Sequence, residues 1–320
     1  MKSKEIKIHL MATNIYLKLF HQDNDFLENI SKKVIDKLES YNQRFNMYNP
    51  DSELSYINDN AWKYPIKIND DLFDLIKIGL GHSRDNNSNL NIAIAPLVKL
   101  WNIGFSDANI PTDNEIIEAL EISNPNLIKL YKEENSIYFE KKGIQLDLGA
   151  IAKGYIADLI IDYLIDKGIK GAYINLGGNV LTYGLNYDSA DYNWRIGLQN
   201  PNKERGSHLL LLAINDMSIV TSGVYERKSI IENKEYHHII DPKTGYPVES
   251  TMKSISVISR KSVDCEIWTS KLFGKDINDV LKITENIPEI DIIIIGNDNN
   301  LYYSQGVERY ILWKEEIWKK

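Results

Sequence analysis

From Ala172 to Ile258 the chain passes through a succession of short apolar stretches with no helical period between them: Ala172–Leu176, Trp194–Leu198, Leu209–Ile214, Ile219–Thr221, Tyr236–Ile240 and Ser254–Ile258. Turn signals separate several of them, among them Asn200-Pro201-Asn202 and Asp241-Pro242-Lys243-Thr244-Gly245. Strands that follow one another without crossover helices must pair as antiparallel or mixed sheet. A doubly wound parallel sheet is excluded by the same pattern.

Further strands are expected at Ile6–Ile8, Ile15–Phe20 and Ile292–Ile295. Helical periods occupy the rest. Phe26, Ile30, Val34, Leu38, Tyr41 and Phe45 recur every three or four residues, and Asp25 with Glu28 reads as a capping box. A second helix is expected near Asp70 to Gly79, and a third from Thr112 with Glu115 three residues on. A fourth covers Ile151 to Ile165 and ends at Lys167-Gly168, and a fifth covers Ser262 to Phe273. The loop after the first helix runs from Phe45 to Ser55. The fold class is therefore α+β, with mixed, largely antiparallel sheets and packed helices. No linker or repeat divides residues 1–320, which are expected to form one unit.

Composition removes several functions. The net charge is −8 with no dense Lys/Arg stripe, which argues against a nucleic-acid partner. Cys265 is the single cysteine, so neither an internal disulfide nor a multi-cysteine zinc site can form. No apolar run approaches the ~18 residues of a membrane span. The start, Met1 to Leu10, has no uninterrupted apolar stretch and no small-residue cleavage site, so a cytoplasmic location is expected.

Five constellations carry chemistry-bearing residues. Asp147-Leu148-Gly149-Ala150 precedes a helix with Lys153 in its first turns. Small residues at a helix start let an anion approach, although an Asp cap on a packed helix reads the same way. Gly177-Gly178 ends a strand, as a phosphate cradle or as a plain turn. His237 and His238 face opposite sides of a strand ahead of Asp241, which either reacts or only braces its turn. Glu266 and Ser270 share a helix face, and a carboxylate beside a hydroxyl suits Mg²⁺ or Ca²⁺ rather than zinc, although a Ser hydrogen-bonded to a neighbouring Glu on a solvated face reads the same way. Tyr48 is an aromatic able to wall a planar ring, or a half-buried core residue.

The order of these blocks resembles the ApbE-type flavin transferases. The blocks are Met11-Ala12-Thr13, Tyr48 to Ser55, Pro96 to Trp101, Asp147 to Tyr155, Asn175 to Gly178, Thr221 to Arg227 and His238 to Pro247. The resemblance spans roughly Met11 to Phe273. It implies a two-lobed, T-fold-like α+β architecture and FAD:protein FMN transferase activity. In that reaction FAD is split at its diphosphate, FMN is joined to a Thr or Ser of an acceptor flavoprotein, AMP leaves, and Mg²⁺ is required. FAD hydrolysis to FMN and AMP, or FAD binding without turnover, are the alternatives.

By position, the resemblance assigns Met11, Tyr48, Asn89, Leu90, Asn91, Asp147, Lys153, Gly177, Gly178 and Ile239 to FAD. It assigns the metal to the Ala150 carbonyl, Glu266, Ser270 and Thr269. His238 is the expected base for the acceptor hydroxyl, with Asp241 second. The chain departs from the family pattern at Ala12, where Gly is usual, and at Asn91 and Asn179, where Asp is usual. Glu266 and Ser270 stand where the family has Asp and Thr. The carboxylate–hydroxyl spacing survives, with one extra methylene on Glu266.

Overall fold

The computed structural model describes the chain except residues 205, 225–227, 233 and 316–320. The Tyr225-Glu226-Arg227 part of one block lies outside the described residues. The chain opens with β1 (Lys2–Leu10), β2 (Thr13–His21), α1 (Asn24–Arg44), α2 (Glu53–Asn60), β3 (Ile66–Lys67) and α3 (Asp70–Ser83). Next come α4 (Ala95–Trp101), α5 (Asp113–Ile122), β4 (Ile128–Tyr131), β5 (Ser136–Phe139) and α6 (Ala152–Asp166). The strand-rich part holds β6 (Gly171–Leu176), β7 (Asn179–Gly184), β8 (Arg195–Gln199), β9 (His208–Ala213), β10 (Ser218–Gly223), β11 (Lys228–Ile231) and β12 (Lys234–His237). It closes with β13 (Met252–Ser259), α7 (Ser262–Leu272), α8 (Ile277–Glu285), β14 (Asp291–Gly296), β15 (Leu301–Tyr303) and β16 (Ile311–Lys314).

The central sheet has eight strands in the order β1-β2-β6-β7-β10-β13-β14-β15, and every pairing in it is antiparallel. Alternation along the strands gives the sheet two apolar faces. Ile15, Leu17, Leu19, Ile174 and Leu176 turn to one side and join the core with Leu27, Val34 and Leu38 of α1 and Ile156 and Ile160 of α6. Val180, Ile219, Ile258 and Ile293 turn to the other, against Leu210 and Leu212 of the small sheet β16-β9-β8. Helix α7 packs on β10 and β13 beside α6, with Cys265 and Leu272 in the core. The fold is α+β with antiparallel sheets. Among the described residues no helix is long and apolar enough to cross a membrane.

Local chemistry explains most boundaries. Thr112 and Glu115 form the expected reciprocal capping box of α5. The box expected at Asp25 and Glu28 does not form. Asp23 is the cap instead, accepting from the Asp25 and Phe26 N–H groups, so Glu28 falls past the reach of the cap and pairs with Lys4 at 2.5 Å. Helix α2 occupies the end of the segment expected to be loop, because the Ser52 hydroxyl accepts the Ser55 N–H at 2.9 Å and starts it. Strand β12 stops at His237 rather than Ile240: the Ile239 N–H turns back to His237 Nδ1 at 3.3 Å, and only a single bridge joins Ile240 to Pro247.

Candidate functional site

Helix α6 starts at Ala152, within one residue of the expected Ile151, and Asp147 is not its cap. Asp147 instead closes an Asx turn, its Oδ1 accepting the Gly149 N–H at 2.8 Å, and its own N–H donates to the Ile92 carbonyl. This turn leaves Gly149 and Ala150 exposed immediately ahead of the helix. Lys153 then reaches back, its Nζ donating to the Gly149 carbonyl at 3.3 Å.

The other half of the arrangement comes from α7. Glu266 is 3% exposed, and its Oε2 accepts the Gly154 N–H at 2.6 Å. Its Oε1 lies 3.7 Å from Lys153 Nζ. Burial pushes the Glu266 carboxyl above the usual range, against the opposing pull of Lys153 and the Gly154 N–H. A Cβ on Gly154 would stand 2.5 Å from the Ser262 carbonyl and 2.8 Å from Glu266 Oε2, so only glycine allows this approach. One turn beyond Glu266, Ser270 is half-buried. Thr269 is buried, its hydroxyl donates to the Glu266 carbonyl at 3.0 Å, and its carbonyl accepts the Phe273 N–H at 3.0 Å.

Asn179 flanks the same carboxylate. Its Oδ1 accepts from the Ser262 hydroxyl, and its amide lowers the Glu266 carboxyl pKa while its buried Nδ2 falls short of a hydrogen bond. The residue sits one position after the Gly177-Gly178 turn of the β6–β7 hairpin, where both glycines have positive φ, 67° and 98°. The Gly178 N–H is already held by Asn175 Oδ1 at 2.8 Å. The β1–β2 hairpin turn is its neighbour: Thr13 packs directly on Gly177. Met11 and Ala12 make that turn with φ 54° and 55°, left-handed conformations that non-glycine residues adopt at a cost.

A second group lies about the C-terminal end of α7. Asn89 donates from Nδ2 to the Phe273 carbonyl at 2.8 Å. Leu90 is buried core, and Asn91 spends its amide internally, on the Ser123 carbonyl and the Ala93 N–H. His237 donates from Nε2 to the Val248 carbonyl at 2.8 Å and rests edge-on to Phe273. His238 and Ile239 follow, both half-buried. Asp241 Oδ1 accepts the Lys243 N–H at 2.8 Å and braces its turn. That turn docks through the Gly245 carbonyl, which accepts Trp101 Nε1 at 2.8 Å. Tyr48 is half exposed and lies tilted against Phe105, ring centres 5.6 Å apart, a partner that the sequence does not single out.

The structure thus joins Lys153 to Glu266, and sets the turn holding Gly177 and Gly178 beside Asn179. It sets Asn89 and the histidine strand at the opposite end of the same helix. Among the described residues no three His, Cys, Asp or Glu side chains converge. Any cation here would rest on one carboxylate with hydroxyl and carbonyl oxygens. Gly154 and Phe105 are the residues that only three-dimensional contact reveals.

The model of the ApbE family matches residues 11–294. The chain belongs to the ApbE family. A curated relative from Klebsiella pneumoniae, FAD:protein FMN transferase, is 36% identical over 92% of this chain and 90% of its own length. A relative of the same name from Treponema pallidum is 31% identical over 80% of this chain and 74% of its own. Among solved structures, an ApbE protein from Thermotoga maritima superposes with a TM-score of 0.85 at 23% identity, covering 98% of this chain and all of that one. The flavin transferase ApbE from Vibrio cholerae gives 0.82 at 24% identity, covering 97% of this chain and 99% of its own. These two ApbE structures share the α+β architecture described above.

Proposed function

We infer that this ApbE-family chain moves FMN from FAD to a Thr or Ser hydroxyl of an acceptor flavoprotein, forming a phosphoester and releasing AMP. The relatives' shared activity supports this reading. So does one structural observation: a buried carboxylate, Glu266, held beside an exposed turn of small residues and facing a cationic group. The Lys153 ammonium takes both the Gly149 carbonyl and the neighbourhood of Glu266 Oε1, so positive charge is already accommodated among oxygens there. Such a donor set fits Mg²⁺. Glu266, the Ser270 hydroxyl and the carbonyls of Ala150 and Thr269 would hold it.

Bound there, Mg²⁺ supplies charge neutralisation for a diphosphate. The chain's own residues do the rest. Lys153 provides a second positive charge. Asp147 fixes the turn that presents Gly149 and Ala150. Ala12 and the Gly177-Gly178 turn form a rim of backbone with little side-chain bulk, Met11 beside them is an apolar contact, and Tyr48 with Phe105 offers aromatic surface for the isoalloxazine. Asn89, Leu90, Asn91 and Ile239 contribute backbone and packing around that surface. The acceptor hydroxyl oxygen bonds to the FMN phosphorus, the bond from that phosphorus to the bridging oxygen breaks, and AMP departs with the electron pair. His238 takes the hydroxyl proton, with Asp241 holding the loop that carries it.

The test is mass spectrometry of an acceptor fragment incubated with the protein, FAD and Mg²⁺. A gain of one FMN on a Thr or Ser is the expected result. An unmodified fragment with AMP accumulating would show hydrolysis instead, and no AMP at all would leave only binding.

A further inference from the structure

Helix α7 carries Glu266 and Ser270, yet its own sequence gives it no N-terminal cap. The cap position is Lys261, whose side chain has no acceptor, and no side-chain cap hydrogen bond forms from it. The first helical N–H groups would then be orphaned, in a place where Ser262 and Val263 are buried. They are satisfied from elsewhere. Asp158, on α6, accepts the Ser262 N–H at 2.8 Å through Oδ1 and the Val263 N–H at 2.9 Å through Oδ2.

We propose that Asp158 is a positioning residue for the flavin-transfer site, fixing α7 against α6 so that the Glu266 carboxylate stands where Gly154, Lys153 and a bound cation meet it. Gly154 and Asp158 lie one turn apart on one face of α6, and Ser262 and Glu266 lie one turn apart on α7. The two pairs form a short ladder. Asp158 holds the start of α7, Gly154 lies against the Ser262 carbonyl, and the Gly154 N–H holds Glu266. A serine at position 261 would cap α7 without a desolvated carboxylate. What a carboxylate from α6 adds is the tie between the helices. Burial raises the Asp158 carboxyl to about 7, a cost that a purely local cap would avoid. The inference rests on the functional reading above, because it concerns the site which that reading describes.

Two variants of the full chain separate a tie from a simple cap: Asp158→Ala, and Asp158→Ala combined with Lys261→Ser, which rebuilds the cap within α7. The first readout is amide hydrogen exchange of Gly154, taken as a ratio to Ile174 of β6 so that changes in global stability cancel. The second is Mg²⁺ affinity by calorimetry with the metal alone. If Asp158 positions α7, the Gly154 ratio rises in both variants. Mg²⁺ affinity then falls by about 10- to 100-fold, the usual effect of losing a residue that orients a ligand, and the serine does not restore it. A wild-type ratio in Asp158→Ala, or recovery of the ratio in the double variant, would overturn the proposal. If the wild-type chain neither binds Mg²⁺ nor modifies an acceptor, the functional reading fails, and the Gly154 ratio alone still decides the role of Asp158.

Discussion

The Gly154 N–H and the Glu266 Oε2 meet at 2.6 Å although 112 residues separate them in sequence. Two helices from different parts of the chain are thereby joined at a glycine. Gly154→Ala places a methyl 2.5 Å from the Ser262 carbonyl and 2.8 Å from the carboxylate. Neither neighbour can give way cheaply, since one is helix backbone and the other is held in place. The expected outcome is a loss of about 1–3 kcal/mol in a denaturant melt, with transfer activity falling further than stability does.

Glu266→Gln tests charge separately from shape. The amide oxygen still accepts the Gly154 N–H, and the negative charge is gone. Removing a buried charge relieves desolvation, so the melting temperature should stay within a few degrees of wild type. Metal-dependent FMN transfer should drop by about 10²-fold or more, because charge stabilisation in a water-poor site dominates this class of reaction. Rates measured across a Mg²⁺ titration check it, and unchanged rates would remove Glu266 from the site.

The β1–β2 turn offers a gain instead of a loss. Ala12 has a φ of 55°, which costs an L-residue about 1–2 kcal/mol. Ala12→Gly removes that strain and adds about 0.5–1 kcal/mol of unfolded-chain entropy. A net stabilisation of several tenths of a kcal/mol is expected, read as a higher denaturant midpoint at unchanged slope. A lower midpoint would mean that the turn relaxes when the alanine is present.

The sequence foretold the antiparallel sheet and the main helices because the relevant forces act locally. Period-two and period-3.6 patterns and the Thr112–Glu115 box need no distant partner. The box at Asp25–Glu28 failed because Asp23 is an equally good cap two residues earlier, and caps compete. The end of β12 moved because the His237 ring takes the Ile239 N–H, a side-chain turn that pattern reading treats as strand, whereas α6 begins within one residue of its expected start at Ile151. Glu266 and Lys153 were legible as chemistry-bearing types, but their meeting was not. Gly154 and Asp158 carried no chemical signal, and their meaning lies in the closeness of α6 to α7.

Stability should depend on pH through Asp158. Its carboxyl is raised from the ordinary 3.8 to about 7, chiefly by burial and further by Asp264 and Asp162, against the lowering by the Ser262 and Val263 N–H groups. Between these two values the folded chain holds a proton that the unfolded chain has lost. The contribution of this group is therefore fully present below about pH 4 and declines as pH rises toward 7, then stays level. Denaturant midpoints measured from pH 4 to 8 should show that decline in wild type and a flatter profile in Asp158→Asn. Parallel profiles would place the titration elsewhere.

Adjacent histidines should differ in what their loss does to transfer. His237 has both ring nitrogens engaged: Nε2–H donates to the Val248 carbonyl, and Nδ1 accepts the Ile239 N–H. Burial also lowers its pKa, so the ring is held neutral and has no lone pair to spare for a substrate proton. His237→Ala leaves two backbone groups unpaired, and a melt should show a loss of about 1–3 kcal/mol. The proposed base is His238. His238→Ala should slow transfer to an acceptor by about 10²–10⁴-fold, with FAD affinity little changed. Transfer at the wild-type rate in His238→Ala, measured by FMN incorporation into an acceptor fragment at saturating FAD, would pass the role of base to Asp241.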